Sequence, residues 1–380
     1  MFFQKPSPYN EAYPETGTNI LIFNGRVFHM KKLLALLLAL AFVLSAAACT
    51  ATEPAAAGDS AAESKVVIKL HHAQGTAHPF DETKLHPYQA AAEALKAYCE
   101  EQSGGSIQIE IYPANALGQD QEVMELLQEG IVDMALVMPT SKAAAIVPEL
   151  NAFNFPFLFV SDKHGEDFAK TEDAQYLLDA CEAHDMIGLG FSTFLFRYPI
   201  NSKRDCKTVA DFNGLQMRTM DAPAAVAAFE QLGCNVVSLS FGELYTGLQL
   251  GTIDGVENDL LTLLGQNYYE VAKHLSLVPI WPFASITLVS KKTWDGMSEN
   301  QQKILSDGVA QAIDVVNTEY AAALEGALDI LRENGTVISE PDNMQEFVDA
   351  MQPVYDKFLP EQDEKVQEIV KHIIEMGAQY

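Results

Sequence analysis

Four histidines, His71, His72, His78 and His86, crowd one short stretch of this 380-residue chain and invite a metal ion. Helical zinc sites pair histidines four residues apart or draw on nearby cysteines. Neither pattern occurs here, so no metal is expected. The sequence also lacks a Gly-x-Ser-x-Gly nucleophile turn, a phosphate-binding glycine loop and a dinucleotide fingerprint. Paired carboxylates need no local signature, so an exported enzyme remains an alternative. The scarce cations are more informative. Lys plus Arg total 24 against 52 Asp plus Glu, a formal net charge of −28. That field repels phosphate backbones and anionic lipid headgroups, which argues against a nucleic-acid partner. In such a chain an arginine is ordinarily a surface ion pair. Withdrawn from water, its planar donor fork would match a carboxylate bidentately, as lysine cannot. Exposed charges are screened beyond about 8 Å at physiological salt, so such an arginine can hold an organic acid despite the overall sign.

The elements that would position these groups alternate. Residues 66–70 form a β-branched run that ends in His71-His72-Ala73-Gln74-Gly75, a strand and then a loop. A helix over 88–102 stops at Gly104-Gly105. Residues 107–111 alternate at period two, 121–129 are helical before Gly130, and 132–138 form a third strand. A second series begins near Ile187, with strands at 188–194, 214–218, 235–238 and 286–290 and helices at 223–231 and 242–250. Residues 298–334 are almost free of Gly and Pro and repeat apolar residues at helical spacing, long enough to cross from one lobe to another. The alternation predicts an α/β fold with a mostly parallel sheet. Two such units in series predict two lobes and a cleft, with the site outside the carboxyl ends of the strands.

The N-terminus reads as an export signal. Lys31 and Lys32 precede an apolar run over 33–44, then small residues up to Cys49. That run is too short for the roughly 20 residues of a spanning helix. Met30 is read as the start, 1–29 as an extension outside the fold, 30–48 as a lipoprotein-type signal peptide, and 49–64 as lipid anchor and flexible tether. Cys49 is the lipidation candidate, the alternative being plain cleavage after Ala-x-Ala. Removing 1–48 takes away Lys5, Arg26, Lys31 and Lys32 against Glu11 and Glu15, so the remainder is more acidic still.

Asp211-Phe212-Asn213-Gly214-Leu215-Gln216-Met217-Arg218 resembles the D-x-x-G-L-K-h-R segment of the solute-binding subunits of TRAP (tripartite ATP-independent periplasmic) transporters. Phe241-Gly242-Glu243-Leu244-Tyr245 is similar to that family's F-x-E-V/L-Y. The run from Leu248 to Asn258 is similar to its L-Q-x-G-x-V-D-G-x-E-N. In the first half, Tyr112-Pro113, Leu117-Gly118, Leu127-Gln128-Glu129-Gly130 and Phe155-Pro156-Phe157-Leu158-Phe159 follow in the family's order. The resemblance runs from about Lys65 to the C-terminus.

It implies a two-lobed periplasmic-binding-protein-like fold with a hinge and a long helix crossing between the lobes. The lobes are expected at 66–194 plus 284–325 and at 195–283 plus 326–380. It also implies a receptor, not an enzyme, that closes on an organic acid and hands it to a membrane permease without any cofactor, touching the membrane only through its lipid anchor. Carried over by position, Arg218 would grip the carboxylate and Arg197 would be a second cationic contact. Phe241 would stack on the solute. Asn258 is either a ligand contact or a local cap. Asp120 and the loop His72–Gln74 would supply polar contacts from the first lobe, and Met138 stands where some acid-sugar binders carry a carboxylate. Tyr245 is read as core and Asp254-Gly255 as turn chemistry.

Arg218-Thr219-Met220-Asp221 and Glu257-Asn258-Asp259 are closer to the hexuronate-binding branch than to its relatives. A six-carbon sugar acid is the first expectation and a C4-dicarboxylate or other hydroxy acid the second; a sensory receptor is the further alternative. An exported chain permits disulfides. Cys206 with Cys234 is the better guess, against buried free thiols.

Overall fold

A computed structural model describes residues 63–380, Asp221 excepted. The expected extension, signal peptide, lipidation candidate Cys49 and nearly all of the expected tether lie outside the described residues. The last tether residues already belong to the fold. The Ser64 carbonyl accepts from Gln301 Nε2 at 2.9 Å, and the Ser106 hydroxyl donates to Glu63 at 3.2 Å.

The strands are β1 (Val66–His71), β2 (Ala77–His78), β3 (Asp81–Leu85), β4 (Ile107–Tyr112), β5 (Met134–Pro139), β6 (Met186–Asn201), β7 (Gln216–Arg218), β8 (Asn235–Val236), β9 (Gly255–Asn258), β10 (His274–Ser276), β11 (Trp281–Ser290) and β12 (Val337–Ser339). The main sheet runs β4-β1-β5-β11-β6-β9-β7-β8, with β10 on β6 and β12 on β10, while β2 and β3 form a separate hairpin. Parallel pairing of β1 with β4 and β5 defines one half of the sheet, and parallel pairing of β7 with β8 and β9 defines the other.

The antiparallel pair β6–β11 joins the halves. Residues Met186 to Arg197 of β6 face β11, and Tyr198 to Asn201 face β9. One strand of 16 residues therefore belongs to both halves. Its register with β11 slips between Phe283 and Ser285 and again between Thr287 and Leu288. Close to the first slip Thr193 adopts φ 52°, and its N–H is held by Asn317 Oδ1 at 2.8 Å instead of by the ladder. Irregularities of this kind bend a strand locally.

The single helix expected over 298–334 is two, Glu299–Leu324 and Ala327–Glu333, parted at Gly326 with φ 83°. Glycine reaches that left-handed region without steric penalty, which suits Gly326 to the break, whereas Gly308 stays inside the long helix. A capping box between Ser298 and Gln301 starts the long helix. This helix packs on Pro87–Gln102 at Gly308, where a Cβ would lie 2.9 Å from both Cys99 Sγ and Leu95 Cδ1.

Apolar faces of the two halves bury separate cores. Val123, Phe153 and Phe168 lie in one, Leu95, Leu305 and Val309 in a second, and Phe212, Phe229 and Trp281 in a third. The C-terminal helix Glu364–Gly377 was expected with the second lobe. Its buried Val366, Ile369, Val370 and Ile373 pack instead with Val123 and Phe153. The guessed Cys206–Cys234 bridge is absent, and both are buried free thiols. They donate to the carbonyls of Asp211 and Phe212, and burial pushes both up to about 12. Among the described residues no helix is long and apolar enough to cross a membrane.

Candidate ligand-binding cleft

A cavity of about 620 Å³ opens between the halves. From the second half, β6 supplies Arg197, the end of β7 supplies Arg218, and β9 ends in Asn258. Parallel and antiparallel ladders bring these together, since β9 pairs with both β6 and β7. Arg197 is buried and donates from Nε to Glu257 Oε2 and from Nη2 to the Glu257 carbonyl at 3.0 Å. The other oxygen, Glu257 Oε1, accepts from the Thr219 hydroxyl at 2.9 Å. Glu257 therefore ties the Arg197 side chain to the residue that follows Arg218. Arg218 donates from Nε to the Leu239 carbonyl at 3.0 Å. Fixing one edge of a guanidinium by backbone or carboxylate partners pre-orients the rest of its fork.

Asn258 Oδ1 accepts from the Asp259 N–H at 3.0 Å, so it is both cap-like and on the cavity wall. Asp259 starts the helix Leu260–Gly265, accepting from Thr262 N and Oγ1. Phe241 lines the cavity with nearly half its surface exposed. It opens a short turn that Ser240 and Glu243 cap reciprocally.

The first half contributes Gln74 from the loop after β1, and Asp120, which begins the helix Asp120–Glu129. Asp120 Oδ1 stands 3.8 Å from His71 Nε2, too far for a hydrogen bond, and neither atom has a hydrogen-bond partner among the described residues. Lys142, on the short helix Thr140–Ala143, is a third cation on the wall. Its neighbour Ser141 donates to Met220 Sδ at 3.9 Å, a contact that reaches across the cleft. Tyr88 and Tyr320 lie at the base. Burial is the main cause that raises both hydroxyls, and Asp259 adds to it.

Six of the eight residues singled out for the solute therefore meet in one cavity: Arg197, Arg218, Asn258, Phe241, Asp120 and Gln74. Two do not. His72 is fully buried and bonds Gln89 Oε1 at 3.0 Å through Nε2, with burial pushing its ring down to about 4. Met138 is core, packed with Val123 and Phe153. Both lie in or next to β strands whose alternation turns them inward. Sequence reasoning missed Lys142, Asp259 and the Tyr88–Tyr320 pair, and gave Glu257 no role. The Glu257-Asn258-Asp259 run was the one available signal for two of these.

Residues 81–362 match the family described as bacterial extracellular solute-binding protein, family 7. The chain belongs to that family, as its resemblance to TRAP receptors implied. It is 28% identical over 305 residues to the C4-dicarboxylate-binding periplasmic protein DctP of Vibrio cholerae, covering 77% of this chain and 86% of that protein. It is 26% identical over 279 residues to the 2,3-diketo-L-gulonate-binding periplasmic protein YiaO of Escherichia coli, covering 73% and 85%. A TRAP periplasmic solute-binding protein from Sulfitobacter, solved with β-D-galacturonate, superposes at TM-score 0.74 with 25% identity, covering 80% of this chain and 98% of that one. Another from Ochrobactrum anthropi superposes at 0.76 with 28% identity, covering 83% and 96%.

Proposed function

We propose that this chain is the extracytoplasmic receptor of a TRAP transporter, and that it captures a sugar acid such as a hexuronate and delivers it to the membrane permease. The observation that carries the reading is the Arg197–Glu257–Thr219 arrangement beside Arg218, in a cavity otherwise rich in amides and hydroxyls. Arg218 and the outer edge of Arg197 take the carboxylate. Gln74, Asp120, Asn258 and Asp259 take ring hydroxyls, and Phe241 covers an apolar face of the sugar. A small dicarboxylate would leave many of these polar groups without partners, which costs affinity. The galacturonate-bound Sulfitobacter protein and the diketogulonate-binding relative support the same class.

Lobe closure does the work. The solute bridges the halves, β6 and β11 flex at their register slips, and the closed form is what the permease reads. In this reading the lobes are 66–194 plus 284–325 and 195–283 plus 326–363, with the helix Glu364–Gly377 added to the first because its apolar face packs with Val123 and Phe153. Cys49 remains the proposed anchor.

Lys142 favours a second reading, a C4-dicarboxylate, because it offers the cleft one more cation, and the Vibrio relative binds that class. A thermal-shift screen against hexuronates, aldonates and C4-dicarboxylates separates the two. A ligand at 100 times its dissociation constant stabilises by about 2.7 kcal/mol, a shift of several degrees at this size. A shift with sugar acids that Arg218→Ala abolishes is the expected result. A shift with dicarboxylates alone selects the second reading, and turnover of the acid would overturn both.

A further inference from the structure

The cleft continues past Tyr320 into a side chamber of about 160 Å³ that shares Gln74, Gly75, Thr262, Gln266 and Tyr320 with the main cavity. The β2–β3 hairpin forms its outer side. Pro79 at the hairpin turn lies so close to Gly265 that a Cβ there would meet Pro79 Cβ at 3.1 Å.

The two spaces differ in chemistry. The main cavity presents Arg197, Arg218, Lys142, Asp120 and Asp259, whereas no Asp, Glu, Lys or Arg side chain among the described residues lines the chamber. Its wall combines apolar Pro79, Ala77 and Leu261 with neutral hydrogen-bonding groups, among them His86. His86 is more than nine-tenths buried. Its Nδ1 accepts from the Tyr88 N–H at 3.2 Å, so the ring proton sits on Nε2. Among the described residues His86 forms no side-chain hydrogen bond other than the one at Nδ1, and the residue lines the chamber. Burial pushes the ring down to about 3, so Nε2–H stays a neutral donor. Neutral donors and acceptors beside an apolar surface suit an uncharged sugar ring, which has hydroxyls at its edge and C–H groups on its faces.

We propose that this chamber is a second subsite for an uncharged sugar unit, so that the ligand class is a neutral sugar linked to the acid-bearing unit. This rests on the sugar-acid reading and extends it. In the bound state the acid unit lies against Arg197 and Arg218, and the second ring passes Tyr320 to meet His86 Nε2–H under the hairpin.

The test is calorimetric titration of the purified protein with gluconate and glucuronate as single-unit acids, and with lactobionate and maltobionate, in which galactose or glucose is linked to gluconate. The expected result is at least tenfold tighter binding of a two-unit acid than of gluconate. Ala77→Phe, at an exposed position on β2, should fill the chamber and remove that advantage while leaving the single-unit acids within about twofold. His86→Phe should do the same by removing the donor. If its lost bond to Tyr88 N unfolds the chain, Ala77→Phe carries the test alone. Single-unit acids binding as tightly as every two-unit acid, or Ala77→Phe weakening both classes alike, would overturn the subsite and leave the sugar-acid reading standing. Failure of all four acids to bind would overturn both.

Discussion

The two walls of the cleft hold their polar groups in different ways. On the second-half wall Arg197, Glu257 and Thr219 are joined by hydrogen bonds and almost wholly buried, and the strands beneath them are paired on both sides. On the first-half wall Asp120 and His71 face each other at 3.8 Å with no bond formed, and Gln74 sits on a loop. If this wall takes the carboxylate as proposed, its recognition is built before the ligand arrives, as favours a charge that must be desolvated. In the same proposal the hydroxyls are left to side chains that can still settle, which suits groups whose positions differ between epimers.

The sharpest way to break this contrast is Glu257→Ala. It leaves the Arg197 guanidinium buried without its counter-ion, a change that costs about 3–5 kcal/mol and lowers the melting temperature by on the order of 10 °C. A melting curve like that of the wild type would mean that the second wall is not prefabricated. Arg218→Ala should weaken sugar-acid binding by about 2–5 kcal/mol, and Arg218→Lys should also weaken it strongly because the bidentate fork is lost. Calorimetry showing either variant within threefold of wild type would remove Arg218 from the carboxylate site.

A third prediction concerns the first half, where His72 is neutral and buried. Its folded pKa lies near 4 against an ordinary 6.5, so the unfolded chain binds more protons as the pH falls below 6.5. Stability is full above about pH 6.5 and drops toward pH 4, by at most about 3 kcal/mol from this ring. Chemical denaturation of His72→Gln across that window should show a flatter pH dependence; an unchanged slope would assign the loss to other groups. The smallest effect is expected on the adjustable wall. Asp120→Asn keeps the shape and one acceptor, so affinity should fall by only about 1 kcal/mol. A loss as large as that of Arg218→Ala would show that the first wall is as rigidly preset as the second.

Much of this was legible in the sequence. Strands such as Ile107–Tyr112 and helices such as Pro87–Gln102 announce themselves by periodicity and by the Gly-Gly that follows. Arg218 and Asn258 stand out through ordered motifs. What failed has physical causes. The strand β6 reads as ending at 194 because Arg197 and Pro199 interrupt its apolar run, although a strand shared by two lobes needs polar residues where it enters the cleft. His72 and Met138 were misplaced because a side chain in or beside a strand flips between core and cleft with a one-residue change of register. The β2–β3 hairpin was missed because β2 has only two residues and β3, Asp-Glu-Thr-Lys-Leu, carries no apolar alternation. Lys142 carries no pattern at all; only the fold brings it to the cleft, beside the Ser141 that reaches Met220.

The cations of the cleft sit inside a chain whose net charge is −28. For an anionic solute this separates the kinetics of arrival from those of departure. The acidic exterior slows encounter at low ionic strength, and added salt shortens the reach of that repulsion, so the association rate should rise with salt rather than fall. If the arginines hold the acid as proposed, the dissociation rate is set by those contacts inside the cleft, which salt reaches poorly. Affinity should therefore improve modestly as ionic strength increases, the reverse of the usual behaviour of an electrostatically steered pair.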